Sequence, residues 1–153
     1  MKRLTAVWRD ERGNSFIEMA LVTPLLASLL IGMVDISRAV SAKVTLEQAA
    51  QRAVEKLQAT DFKTSNSADV EADAEAAAGD GSTATVNAWL ECDHDGVHLD
   101  YDSGTCPTGS YYARYVQVIV TNTFTPIFGS RFFPGANANG TVNVSGGATL
   151  RTQ

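Results

Sequence analysis

No charged side chain occurs between Met19 and Val34, a gap that a water-exposed helix would not leave. Basic residues are scarce as well. Lys2, Arg3, Arg9 and Arg12 crowd the front, and from residue 14 onward acidic side chains outnumber basic ones by fifteen to eight. A chain this acidic beyond its first residues lacks the electrostatic footprint of a nucleic-acid binder. Cysteine is limited to Cys92 and Cys106, neither in a C-x-x-C pair, which argues against a zinc site. There is no nucleophile elbow, H-E-x-x-H, phosphate-binding loop or triad spacing, so no enzyme is expected and no cofactor is implied. Finally, neither Gly nor Pro falls between Met33 and Thr60, and nothing in that stretch breaks a helix.

What is present is an apolar block near the front: Gly13-Asn-Ser-Phe-Ile-Glu18-Met-Ala-Leu-Val-Thr-Pro24-Leu-Leu-Ala-Ser-Leu-Leu-Ile-Gly32-Met-Val-Asp35. Counted from Asn14, it supplies the roughly 20 residues that a helix needs to cross a bilayer. The one charge inside it is Glu18. A carboxylate within a span costs roughly 2.5–3.5 kcal/mol on insertion scales, so it has a partner or sits at the interface. A cleaved secretory signal fits less well, because the run outlasts a usual h-region and no small-x-small site follows it. The basic N-terminal flank places residue 1 in the cytoplasm and residue 38 onward outside. On that side Cys92 and Cys106, flanking one polar loop, can join as a disulfide, with two free thiols as the alternative.

Beyond the span the helical period continues. Ala42, Leu46, Ala49, Ala53 and Leu57 recur at three- and four-residue spacing, which predicts one helix of about forty residues ending near Thr60. Pro24 is expected to bend it. A shorter, alanine-rich and acidic helix is predicted over Ala68–Ala78, with Ser67 as N-cap and Gly79-Asp-Gly81 as its end. Its acids, Asp69, Glu71, Asp73 and Glu75, read as solvated surface. The period then changes to two, predicting strands over Thr83–Cys92, Val97–Tyr101, Tyr112–Phe124 and Thr141–Leu150, with the third central. Helices followed by strands give an α+β fold in which a long N-terminal helix packs on a small antiparallel sheet. The organisation is a basic leader (1–13), a transmembrane helix (14–37), its amphipathic continuation (38–60) and an exported α+β domain (61–153).

Gly13 followed by four residues and Glu18, behind a basic leader and ahead of an apolar helix, looks like a type IV prepilin processing site. Glu18 would then be the fifth residue of the mature chain. The wider string, Glu18-Met-Ala-Leu-Val-Thr-Pro24-Leu-Leu with Gly32-Met-Val-Asp35-Ile-Ser-Arg38, resembles the TadE-like family of pseudopilins from tight-adherence (Tad/Flp, type IVc) pilus systems. The similarity is dense over residues 12–38 and thins to a general plan beyond. Asn14 departs from the methylated Phe that type IV pilins commonly carry after the cut. The resemblance implies cleavage between Gly13 and Asn14 by a prepilin peptidase. It also implies a bacterial inner-membrane subunit that partners other pilins, the assembly platform and the lipid bilayer. Physically, Glu18 in low dielectric seeks a cation, and the freed amino group of a neighbouring chain could supply it.

The competing reading is an uncleaved, membrane-tethered binding or sensory module. Its candidate site is the acidic loop with Asp93, Asp95, Asp100 and Asp102, whose alternating oxygen donors and Gly96 suggest calcium. The spacing departs from an EF-hand, since position five has no ligand and no Glu closes the loop. His94 and His98 would share a face only on a helix, and the pattern there indicates a turn.

Overall fold

The long helix forms as the unbroken run from Met33 to Thr60 requires. The computed structural model describes residues 14–59, 62–127 and 135–152. Helix α1 (Asn14–Gln58) is continuous over 45 residues and contains Pro24 without interruption. At about 1.5 Å per residue it is roughly 68 Å long. Pro24 cannot donate to the carbonyl one turn back. In the same apolar stretch the Thr23 hydroxyl donates to the Met19 carbonyl at 2.6 Å, and the Ser28 hydroxyl to that of Leu25 at 2.7 Å. Both hydroxyls are thus satisfied within the helix, as an apolar surrounding demands.

The two halves of α1 live in different environments. From Phe16 to Val34 its large side chains are exposed, whereas Leu46, Ala49, Ala50, Ala53, Val54 and Leu57 are buried. The buried half lies against a four-stranded antiparallel sheet of order β2-β1-β3-β4, formed by β1 (Thr83–Cys92), β2 (Leu99–Asp100), β3 (Tyr112–Phe124) and β4 (Val142–Arg151). Register pairs Val86 with Val118 and Val118 with Ala148, so β3 is central and its alternate residues face α1. Val116, Val118 and Val120 on that face are fully buried, each worth about 1.5–3 kcal/mol of apolar transfer. The expected α+β fold and the central place of Tyr112–Phe124 are both found.

Close approach of α1 to β4 depends on a residue without a side chain. A Cβ on Gly146 would lie 2.3 Å from the Glu47 nitrogen and 2.6 Å from the Leu46 carbonyl carbon. Small residues on the helix, Ala49, Ala50 and Ala53, serve the same purpose from the other side.

Helix α2 (Ser67–Ala78) follows a single 3-10 turn, Thr64–Asn66. Ser67 is not the N-cap: it is already helical, because the turn before it carries the chain into α2, and Asn66 takes the flanking position. The acids of α2 do more than face water. Glu75 accepts the Ala84 N–H and Glu71 the Val86 N–H, both at 2.9 Å. Beyond the short β2, these two carboxylates cover an edge of β1 that would otherwise offer open donors. Asp73 pairs with Lys56 and ties α2 to α1. The strand expected over Val97–Tyr101 is only Leu99–Asp100. Asp100 Oδ1 accepts the N–H groups of Asp102 and Ser103, which turns the chain and ends the pairing.

Candidate functional site

The N-terminal half of α1 is an apolar rod without a protein partner in the single chain. It is the one helix among the described residues long and apolar enough to cross a membrane; its best 18-residue window has mean hydropathy 2.0 and is not buried. Phe16 and Leu21 are 84% and 72% exposed, and Leu25, Leu29 and Leu30 are similarly open. Residues 16–34 rise about 28 Å, close to the hydrocarbon thickness of a bilayer. Glu18 is exposed on this rod, just beyond the first helical turn, with no ion-pair partner among the described residues. Asn14 is the first residue of α1, while Gly13 and the rest of the basic leader lie outside the described residues.

At the opposite end of the domain, Cys92 ends β1 and bonds to Cys106 across 14 residues, with Cα atoms 5.7 Å apart. The loop between them carries the acidic candidates, and each accepts at least one backbone hydrogen bond. Asp93 Oδ1 accepts the Tyr111 N–H at 2.8 Å, and Asp95 Oδ1 accepts the Val97 N–H at 2.9 Å. Asp100 Oδ1 takes the Ser103 hydroxyl at 2.6 Å as well as two backbone N–H groups, and Asp102 Oδ2 takes the Thr64 N–H at 3.2 Å. The Ser110 hydroxyl, then the Tyr111 N–H, holds the Asp93 carboxyl below its ordinary value of 3.8. The Ser103 hydroxyl and N–H do the same for Asp100. Among the described residues these acids are not gathered with any third His, Cys, Asp or Glu that could hold a metal ion. They shape turns, including the left-handed pair Asp93 and His94. The two histidines do not face each other along a helix: His98 stacks on Trp89, centroids 4.5 Å apart, and Trp89 stacks in turn on Tyr115.

One site residue escaped the sequence reading. Asp35, at the end of the apolar run, is only 1% exposed. Its Oδ1 accepts the Ile127 N–H at 2.9 Å, from a residue 92 positions later. The Arg38 guanidinium lies 3.7 Å from the same oxygen and 5.3 Å from the centroid of Phe124. Phe124 and Pro126 are buried between these contacts. The segment leaving β3 is thereby fastened to α1 where the rod begins. The signal in the sequence was half visible: Asp35 and Arg38 form an obvious i, i+3 pair, but nothing local points to Ile127.

Residues 13–55 match the family described as TadE-like protein. The resemblance drawn from residues 12–38 is thereby borne out, over less than a third of the chain. The matched stretch covers Glu18, Pro24, Asp35 and most of α1. No curated protein and no solved structure matches the chain.

Proposed function

We propose that this chain is a TadE-like minor pilin or pseudopilin, a non-enzymatic subunit that takes part in assembling or priming a Tad (type IVc) pilus for surface adhesion. The observation that carries the reading is the coincidence of the family match with the exposed, Glu18-bearing half of α1. An apolar rod of this length can hold the subunit in the inner membrane, with the leader cytoplasmic and the sheet domain outside. The same rod can exchange lipid for the helices of other pilins without exposing apolar surface to water. Small side chains such as Ala20, Ala27 and Gly32 let backbones approach during that exchange.

In this reading a prepilin peptidase cuts between Gly13 and Asn14 and frees an α-amino group four residues before Glu18. Glu18 of one subunit then pairs with the amino terminus of a neighbour and fixes the axial stagger, since mispaired arrangements leave charges unmatched in low dielectric. The assembly platform acts on the membrane-held subunit, and the disulfide-closed domain stays on the exported face. The test is deletion of the gene in its own bacterium, with complementation by the intact gene. Loss of surface pili and of adherence, both restored on complementation, is the expected result. Normal pilus number and adherence in the deletion strain would contradict the proposal.

A further inference from the structure

We infer that the segment leaving β3 is a second membrane contact, resting on the outer lipid surface with Ile127 at headgroup depth and held at that height by Asp35. The inference rests on reading α1 as a membrane span. If residues 16–34 fill the hydrocarbon layer, Asp35 lies at its outer boundary. Whatever is hydrogen-bonded to Asp35 then lies there too. That group is the Ile127 N–H, at 2.9 Å.

The side chains around the contact are sorted as a lipid surface would sort them. Phe124 and Pro126 turn inward and are buried, whereas Ile127 points away from the domain and is 64% exposed. A large apolar side chain left open beside an apolar rod continues the rod's own surface, where Val34 and Ile36 are also exposed. Arg38, one turn above Asp35, keeps its guanidinium half exposed at the level of lipid phosphates. A segment docked there would restrict how the exported domain tilts on its helix, because two points of attachment replace one.

The experiment uses the full chain in vesicles of phosphatidylethanolamine and phosphatidylglycerol, with a nitroxide on a single introduced cysteine and the native disulfide left oxidised. Leu26→Cys reports the span, Ile127→Cys the contact, and Thr85→Cys, on the far face of the sheet, the water reference. Collision with oxygen, which partitions into lipid, is compared with collision with a water-soluble nickel chelate. The expected result is a label at 127 protected from the chelate relative to position 85, and shallower than the label at 26. Replacing Asp35 with Ala is expected to abolish that protection at 127. A label at 127 as accessible to chelate as that at 85, with 26 in lipid, would overturn the inference and leave the span intact. A label at 127 shielded from both reagents would mean that protein covers it, and would overturn it too. A label at 26 open to chelate would instead overturn the span, and this inference with it.

Discussion

Replacing Gly146 with Ala should damage the packing of α1 on the sheet more than its single methyl group suggests. The added Cβ would sit 2.3 Å from the Glu47 nitrogen, 2.6 Å from the Leu46 carbonyl carbon and 2.8 Å from the Glu47 Cα. All three are backbone atoms of a helix, so no side chain can swing aside. Relief requires moving the helix off β4 by about an ångström, which loosens Leu46 and Ala50 against Val116, Val118 and Val120. Overpacking of this kind costs typically 1–3 kcal/mol, and the rigid backbone puts this case at about 3. For a domain of this size that is a drop of roughly 12 °C or more in Tm. Gly147 is the internal control, because a Cβ there meets nothing nearer than the Val118 carbonyl oxygen at 3.4 Å. Gly147→Ala should be neutral or stabilising by about 0.5 kcal/mol, since Ala loses less backbone entropy than Gly in a strand. Thermal unfolding of the full chain in detergent, followed by circular dichroism, compares the two. Equal Tm values for Gly146→Ala and Gly147→Ala would refute the close approach of α1 to β4.

Replacing both Cys92 and Cys106 with Ser should lower stability by about 3 kcal/mol, the value for closing a loop of this length. Denaturant unfolding with and without reductant measures it, and an unchanged midpoint would contradict the bridge's contribution. Removing Glu71 and Glu75 together, as Ala, should uncover the Val86 and Ala84 donors on the β1 edge. The expected result is a loss of about 1–2 kcal/mol with increased self-association by light scattering; an equally stable, monodisperse variant would show that the edge needs no cover. The acidic loop should tolerate mild acid. Asp93 and Asp100 have folded-state pKa values below 3.8, so their contribution is complete above the unfolded carboxylate range and is lost as pH falls through the lower folded values. The Tyr111 and Ser103 amide resonances should therefore titrate with midpoints below the ordinary carboxylate value of 3.8, whereas midpoints at or above that value would contradict the assigned bonds.

The parts of the fold legible in the sequence were those governed by local physics. Lack of Gly and Pro after Gly32 gave α1 its length, and uniform apolarity separated its exposed half from the striped half of Leu46 to Leu57. Strand β3 was legible to the residue, because Tyr115-Val-Gln-Val-Ile-Val is rich in β-branched residues and lies between Gly- and Pro-marked turns. What stayed hidden depended on partners distant in sequence. Glu71 and Glu75 look like solvated acids until β1 is laid beside α2. Asp35 looks like the polar end of a span until Ile127 arrives. The short β2 falls short of the apolar alternation over Val97–Tyr101 because Asp100 accepts two backbone N–H groups and turns the chain. Gly146 carried no local signal that a helix backbone would cross it.

The central claim, that Glu18 makes this chain a pilus-assembling subunit rather than a tethered domain, is tested most directly by Glu18→Gln. The substitution removes the charge but keeps the shape, and Glu18 is exposed with no ion-pair partner among the described residues, so membrane level and fold should be unaltered. Pairing with a neighbouring amino terminus should fail, leaving that cation unmatched in low dielectric at a cost of about 3–5 kcal/mol. The measurement is crosslinking of the variant to pilus components, normalised to its amount in the membrane, beside wild type and Glu18→Asp. Loss of crosslinking by Glu18→Gln at a normal membrane level, with Glu18→Asp intermediate, is the predicted result. Crosslinking and pilus assembly equal to wild type would make Glu18 an interfacial bystander and contradict the claim.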